Sequence, residues 1–324
     1  MTTPVAPRPL PALGLVCITA SPQIRYRTMT RTTYLKLAPE ERAERLRELY
    51  LSNIEKFLEA LSYCAWQGIR LYRVSSQLFP LSDWEDGVGA AVLEGLAGEL
   101  ARIGVLATAR GVRVVVHPEQ FVVLSSDSQA VADSAMRVLQ GHARQMDLMG
   151  LPRSQWSMVL VHGGKSGRGE ALAARIGTLP ENIRSRLALE NDEYAYSAQD
   201  ILEVCQKTGV AFVFDAHHHA VHAKLEGYED ASIAHFTREA ASTWTDPAWQ
   251  IVHLSNGKSG FLDRKHSDLI DAFPSAFLDV PFVEIEAKGK EVAIADLLPR
   301  LQADVPVLSI TRASPPEAAF PDEE

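Results

Sequence analysis

Eight times along this chain a short run rich in Val, Ile or Phe, too short for a stable helix, precedes a longer stretch with helical spacing. The runs are Leu13–Ile18, Ile69–Ser75, Val112–His117, Met158–His162, Leu187–Glu190, Ala211–Asp215, Ile251–Leu254 and Phe282–Glu286. Between them, Leu46, Leu49, Tyr50, Ile54, Phe57, Leu58 and Leu61 form one apolar helical stripe, and Val88, Val92, Leu96, Leu100 and Ile103 form another. Near-continuous apolar strands alternating with amphipathic helices indicate a parallel sheet covered on both faces. Eight such units predict a single-domain α/β fold, a closed TIM (β/α)8 barrel, with an open doubly wound sheet as the alternative. The barrel is expected over 13–312, after an N-terminal extension at 1–12. The segment 313–324, with three prolines and four acids, is expected to be a disordered tail.

The cysteines, Cys17, Cys64 and Cys205, are odd in number and far apart, so they offer neither a disulfide framework nor a metal knuckle. The proline-rich start lacks the apolar region of a signal peptide, and no apolar run is long enough to span a bilayer. A cytoplasmic protein with no membrane association is expected, and nothing implies a protein partner. A net charge of −9 argues against coating nucleic acid by bulk electrostatics, while leaving room for a local basic face.

Residues that metals favour fall at the carboxyl ends of the last six strands: His117, His162, Glu190, Asp215, His253 and Glu286. In a barrel that rim carries the active site. A single His or Glu at a strand end is more often a cap or a hydrogen-bonded core residue, but one from each of six consecutive strands points to convergence. With no Arg or Lys expected in the strands themselves, the facing carboxylates need cations to neutralise them. Mixed imidazole and carboxylate donors without thiolates suit divalent Mn, Zn or Fe, and more than three strong ligands imply more than one ion. His266 lies in the loop after the seventh strand. In the run His217–His219, read as extended, alternate side chains point apart, so one or two can reach the centre. Such a ring best serves phosphate hydrolysis.

The strand-end loops carry Lys165, Arg168, Lys258, Arg264, Lys265, Lys288 and Lys290, and the first loop adds Arg25, Arg27, Arg31 and Lys36. Together they offer a basic face suited to a polyanion such as DNA, with Lys165, Arg168, Lys258, Arg264 and Lys288 as the candidate phosphate contacts. The pair Gly163–Gly164 would let backbone amides approach a phosphate. After the third strand, Gln120 and Phe121 set an amide beside an aromatic ring next to an expected ligand, a combination that can wedge into a distorted base stack.

The segments HPEQF (117–121), VHGG (161–164), ALEND (188–192), FDAHHH (214–219), VH (252–253), HSD (266–268) and VEIEAKGKE (283–291) resemble, in order and spacing, the UV damage endonuclease family. The resemblance runs from about Leu13 to Leu301. It implies a TIM barrel holding two or three divalent ions, Mn2+ foremost with Zn2+ or Mg2+ as alternatives, that nicks damaged double-stranded DNA immediately 5′ of cyclobutane pyrimidine dimers, 6-4 photoproducts and abasic sites. Carried over by position, the ligands are His117, His162, Glu190, Asp215, His218, His253, His266 and Glu286, with Glu190 and Glu286 as the bridging, catalytic pair and Gln120 and Phe121 as the lesion probe. Gln77 stands where some relatives carry a His ligand, and Ile251 where some carry a lysine two residues before the strand-seven His.

Two other readings use the same residues. Sugar isomerases and abasic-site nucleases also place His and carboxylate clusters on such barrels, and a lesion-binding protein that no longer cuts would keep the wedge. The wedge loop and the cationic rim favour the nuclease.

Overall fold

The computed structural model describes residues 10–118 and 122–303. Eight parallel strands close into one barrel in chain order: β1 (Ala12–Cys17), β2 (Leu71–Val74), β3 (Arg113–Val116), β4 (Val159–His162), β5 (Leu187–Glu190), β6 (Ala211–Asp215), β7 (Ile251–Leu254) and β8 (Phe282–Ile285). β1 pairs with β2 on one side and closes against β8 on the other, with Gly14 opposite both Leu71 and Glu284. The open-sheet alternative is excluded. The first strand begins at Ala12, inside the expected extension, because Ala12 N–H bonds Pro281 O at 2.9 Å and so joins the sheet. Gln120, Phe121 and the tail at 313–324 lie outside the described residues. Among the described residues, no helix is long and apolar enough to cross a membrane.

Alternation along each strand divides its side chains into two sets. One set, including Leu13, Leu15, Tyr72, Val114, Val161, Leu189, Phe212, Phe214 and Val252, packs outward on the surrounding helices. On the helix Pro39–Trp66 the expected stripe is the buried face: Leu46, Leu49, Ile54, Phe57 and Leu61 are 0–3% exposed, each contributing about 2 kcal/mol by leaving water. The second expected stripe is two helices, Val88–Gly95 and Ala97–Arg110, because the chain leaves helical geometry at Leu96 (φ −107°, ψ 18°). Leu96 is buried at the break, and Gly95 and Gly98 on either side weaken a continuous helix.

The other set points into the barrel. Leu71, Val115, Leu160, Ala188, Val213 and Ile251 form a dry apolar layer separate from the main core. Beneath it, Arg113 closes the barrel floor, donating to Trp156 O (2.6 Å), Trp249 O (2.6 Å) and Gln155 O (2.8 Å) while its guanidinium stacks on Trp156 at 4.6 Å. Two residues further along their strands, the same alternation brings Arg73, His162, Glu190, Asp215, His253 and Glu284 to the carboxyl-terminal rim.

Candidate metal centre

Glu190, 1% exposed at the end of β5, is the hub of that rim. One of its oxygens lies 3.2 Å from His117 Nε2 and 3.7 Å from His162 Nε2; the other lies 2.8 Å from His253 Nδ1 and 3.7 Å from His218 Nδ1. Among the described residues three groups able to hold a cation result, all sharing Glu190: His117 with His162, His253 with Glu286, and Asp215 with His218. Glu286 Oε1 is 3.2 Å from the same His253 nitrogen that faces Glu190. The sheet is thinnest between β3 and β4, where Val116 and Val159 make the one register pair, and there the His117 and His162 rings stand 5.0 Å apart.

The donor set fits divalent ions. Asp215 Oδ2 is buried with no hydrogen-bond partner, which is unfavourable for a carboxylate unless a cation meets it. Its other oxygen accepts from His218 N–H at 2.6 Å, capping the helix Ala216–Ala223. The run His217–His219 is therefore helical, not extended, because Asp215 starts a helix directly at the strand end. Successive residues rotate by a third of a turn, and His218 alone faces the centre. His217 instead meets Tyr228 Oη and Asp263 O, each at 2.9 Å, and His219 meets Ser232 Oγ at 2.9 Å.

Charge within the ring is heavily coupled. Burial pushes the Glu190 carboxyl up, but His253 and His162 beside it outweigh this and hold it well below the usual carboxylate range. Burial also lowers His218, yet Asp215 and Glu190 raise it to about 9, whereas burial wins at His162 and brings it down to about 4. Burial raises the Asp215 carboxyl. The Arg73 guanidinium reverses the effect of burial on Glu286 and keeps it ionised. Arg73 corrects the expectation of strands without cations: it projects inward from β2 and reaches Glu286 Oε1 at 2.6 Å and Glu284 Oε2 at 3.2 Å. Its parity with Leu71, two residues earlier, is the sequence signal for that inward position. Glu284, buried in β8 two residues before Glu286, is likewise a rim acid that strand ends alone do not reveal.

Of the expected ligands, His266 joins none of the three groups; its Nδ1 lies 3.9 Å from Glu286 Oε2, at the edge of the ring. Gln77 sits exposed in the turn Ser76–Leu78 after β2, outside those groups, and Ile251 is fully buried in the apolar layer below. Among the expected phosphate contacts, Lys165 and Arg168 both pair with Asp127, Lys165 at 2.8 Å. Arg264 lies 3.2 Å from Glu193 and stacks over the exposed Tyr194 ring at 4.2 Å, while Lys258 and Lys288 are exposed. Arg25 is a loop staple, bonding Thr19 O at 2.7 Å and Ser21 O at 2.6 Å. Gly163 serves packing: a Cβ there would stand 2.5 Å from the Tyr196 ring.

The family model described as UV-endonuclease UvdE matches residues 11–315. The chain belongs to the UV-endonuclease UvdE family. Relatives of similar length carry the same ascription. The chain is 52% identical over 287 residues to a UV DNA damage endonuclease of Nostoc sp., covering 89% of each chain. It is 53% identical over 289 residues to one from Deinococcus radiodurans, covering 89% of this chain and 95% of that one. The fold is shared with the crystal structure of SacUVDE, at a TM-score of 0.77 and 23% identity over 90% of this chain and 98% of that chain. The UvdE match spans all eight strands and every residue of the three cation-capable groups.

Proposed function

We propose that this chain is a metal-dependent DNA repair endonuclease that nicks the phosphodiester backbone immediately 5′ of cyclobutane pyrimidine dimers, 6-4 photoproducts and abasic sites in double-stranded DNA. The observation that carries the reading is the sharing of Glu190 by three His and carboxylate groups on the barrel rim, in a chain of the UvdE family. Two or three divalent ions fit this arrangement, with Mn2+ the foremost candidate and Zn2+ or Mg2+ as alternatives. When bound, such ions supply Lewis-acid polarisation of a phosphodiester and stabilise charge on the leaving oxygen.

The chain's own residues hold and orient. Glu190 and Glu286, both facing His253 Nδ1, are the bridging pair; His117, His162, Asp215, His218 and His253 complete the groups, and His266 joins from the loop beyond Glu286. The apolar layer through Ile251 excludes water from below and sharpens electrostatics at the rim. Lys258, Arg264 and Lys288 lie on strand-end loops, where they would contact backbone phosphates, and Lys165 and Arg168 would do so by exchanging Asp127 for phosphate. Gln120 and Phe121, three and four residues after His117 in the sequence, would enter the damaged stack.

A duplex with one cyclobutane dimer, incubated with the protein and Mn2+, tests the reading. Incision at the phosphodiester 5′ of the dimer, abolished by chelation, is expected. Retarded mobility without scission would replace the enzyme by a lesion-binding protein, and indifference to both dimer and metal would remove the reading altogether.

A further inference from the structure

We propose that Glu284 is a positioning residue of the metal centre: wedged between the Arg73 guanidinium and the far side of the His253 ring, it keeps the proton on Nε2, so that the nitrogen that gives up its proton to an ion is Nδ1, on the side of Glu190 and Glu286. The inference rests on the metal-centre reading and deepens it.

His253 is fully buried between carboxylates on both sides. Nδ1 faces Glu190 Oε1 at 2.8 Å and Glu286 Oε1 at 3.2 Å, in one of the three groups able to hold a cation. Nε2 points the other way, 2.7 Å from Glu284 Oε2. That approach is bent too far to count as a hydrogen bond, and among the described residues neither Nε2 nor either Glu284 oxygen makes one with any other group, so no other acceptor competes for the Nε2 proton. A histidine offers a metal one lone pair, and the proton must sit on the other nitrogen; an acceptor behind the ring decides which. Glu284 is that acceptor.

The surrounding residues are shaped to admit it. A buried carboxylate costs several kcal/mol unless it is paired, so an acid at this depth needs a role. Across the β1–β8 register, Glu284 lies opposite Gly14, where an added Cβ would stand 3.1 Å from Glu284 Cγ and 2.8 Å from Leu71 Cδ2. Across the β7–β8 register it lies opposite His253. Ile251, two residues before His253, and Leu71 belong to the apolar layer that keeps water from competing for the contact. Balancing Arg73 does not by itself explain Glu284, since Arg73 already has Glu286 at 2.6 Å.

Glu284→Gln and Glu284→Met in the full chain separate the roles. Gln keeps an acceptor oxygen without the charge; Met keeps approximate bulk without either. Mn2+ binding followed by calorimetry, with the visible spectrum of the Co2+-loaded protein as a second readout, should show the Gln variant close to wild type. The Met variant should lose about 10–100-fold in affinity for one ion, with a changed Co2+ spectrum. Equal losses in both variants would assign Glu284 to charge balance, and an unaltered Met variant would leave it no role; either result overturns the proposal. Should the Met variant fail to fold, 15N shifts of His253 in the Zn2+-loaded wild type read the tautomer directly, with Nε2–H expected and Nδ1–H overturning it. Wild-type protein that binds neither Mn2+ nor Co2+ would instead bring down the metal-centre reading, a failure distinct from that of Glu284.

Discussion

Replacing Glu190 by Gln removes one negative charge, with almost no change in volume, from the point common to all three cation-capable groups. Four imidazoles converge on its two oxygens at distances from 2.8 to 3.7 Å, so no neighbouring acid can move into its place without leaving a histidine behind. A unit charge pair about 4 Å apart at an effective dielectric of about 20 is worth about 4 kcal/mol, and a divalent ion doubles that. Part of the gain is offset in the wild type, because Glu190 also helps hold a proton on His218 and His253 that an ion must displace. A net loss of about 3 kcal/mol per ion, roughly a hundredfold in affinity, is the expected scale. Calorimetry with Mn2+ reads the affinity, and a nicking assay on a single-dimer duplex at Mn2+ levels that saturate the wild type reads the consequence. Glu190→Gln should fold, bind Mn2+ at least about a hundredfold more weakly, and not cut. Wild-type affinity together with wild-type cutting would refute the assignment of Glu190 as the shared ligand.

Four further outcomes follow from other parts of the molecule. Arg113→Met leaves three carbonyls on the barrel floor without their donor, one buried and two part-buried, at about 1–3 kcal/mol for the buried one and less for the others, so urea denaturation should show a loss of about 2–4 kcal/mol with Mn2+ affinity of the folded protein unchanged. Burial brings His142 down to about 4, so between the unfolded value near 6.5 and that point the unfolded chain binds the extra proton. Its contribution is intact above about 6.5 and falls by up to about 3 kcal/mol as pH drops toward 4; His142→Gln should flatten that slope in urea melts across the range. Arg264→Glu should weaken binding to duplex of any sequence and reduce the slope of log affinity against log salt by about 1, which a filter-binding titration measures. Changing Gln120 and Phe121 together to Ala should cost more on dimer duplexes than on an abasic site, and equal losses on both would sink the wedge.

The barrel is legible in the chain because each strand announces itself twice, by an apolar run and by a polar residue where the run reaches the rim. His162, Glu190 and Asp215 end their strands as the sequence predicts, and Glu190 emerges as the hub for a reason visible in the pattern: β5 lies between the strands that deliver His162 and Asp215. What strand ends do not show is the second tier. Arg73 and Glu284 sit inside apolar runs, and reading each run at two-residue spacing, inward and outward, is what places them beside His253 and Glu286. The helix after Asp215 was hidden because three consecutive histidines carry no strong helical preference; the Asp215 cap on His218 decides it. Loop cations are the least legible feature, since Asp127 and Glu193, which claim Lys165, Arg168 and Arg264, come from separate strand-end loops.

Anomalous diffraction from crystals soaked in Mn2+ tests the metal ring most directly. Two or three peaks within ligand distance of Glu190, with His253, Glu286, Asp215, His218, His117 and His162 around them, are the result this account predicts. A rim free of anomalous density at saturating Mn2+, with Glu190 still locked among its histidines, would contradict it.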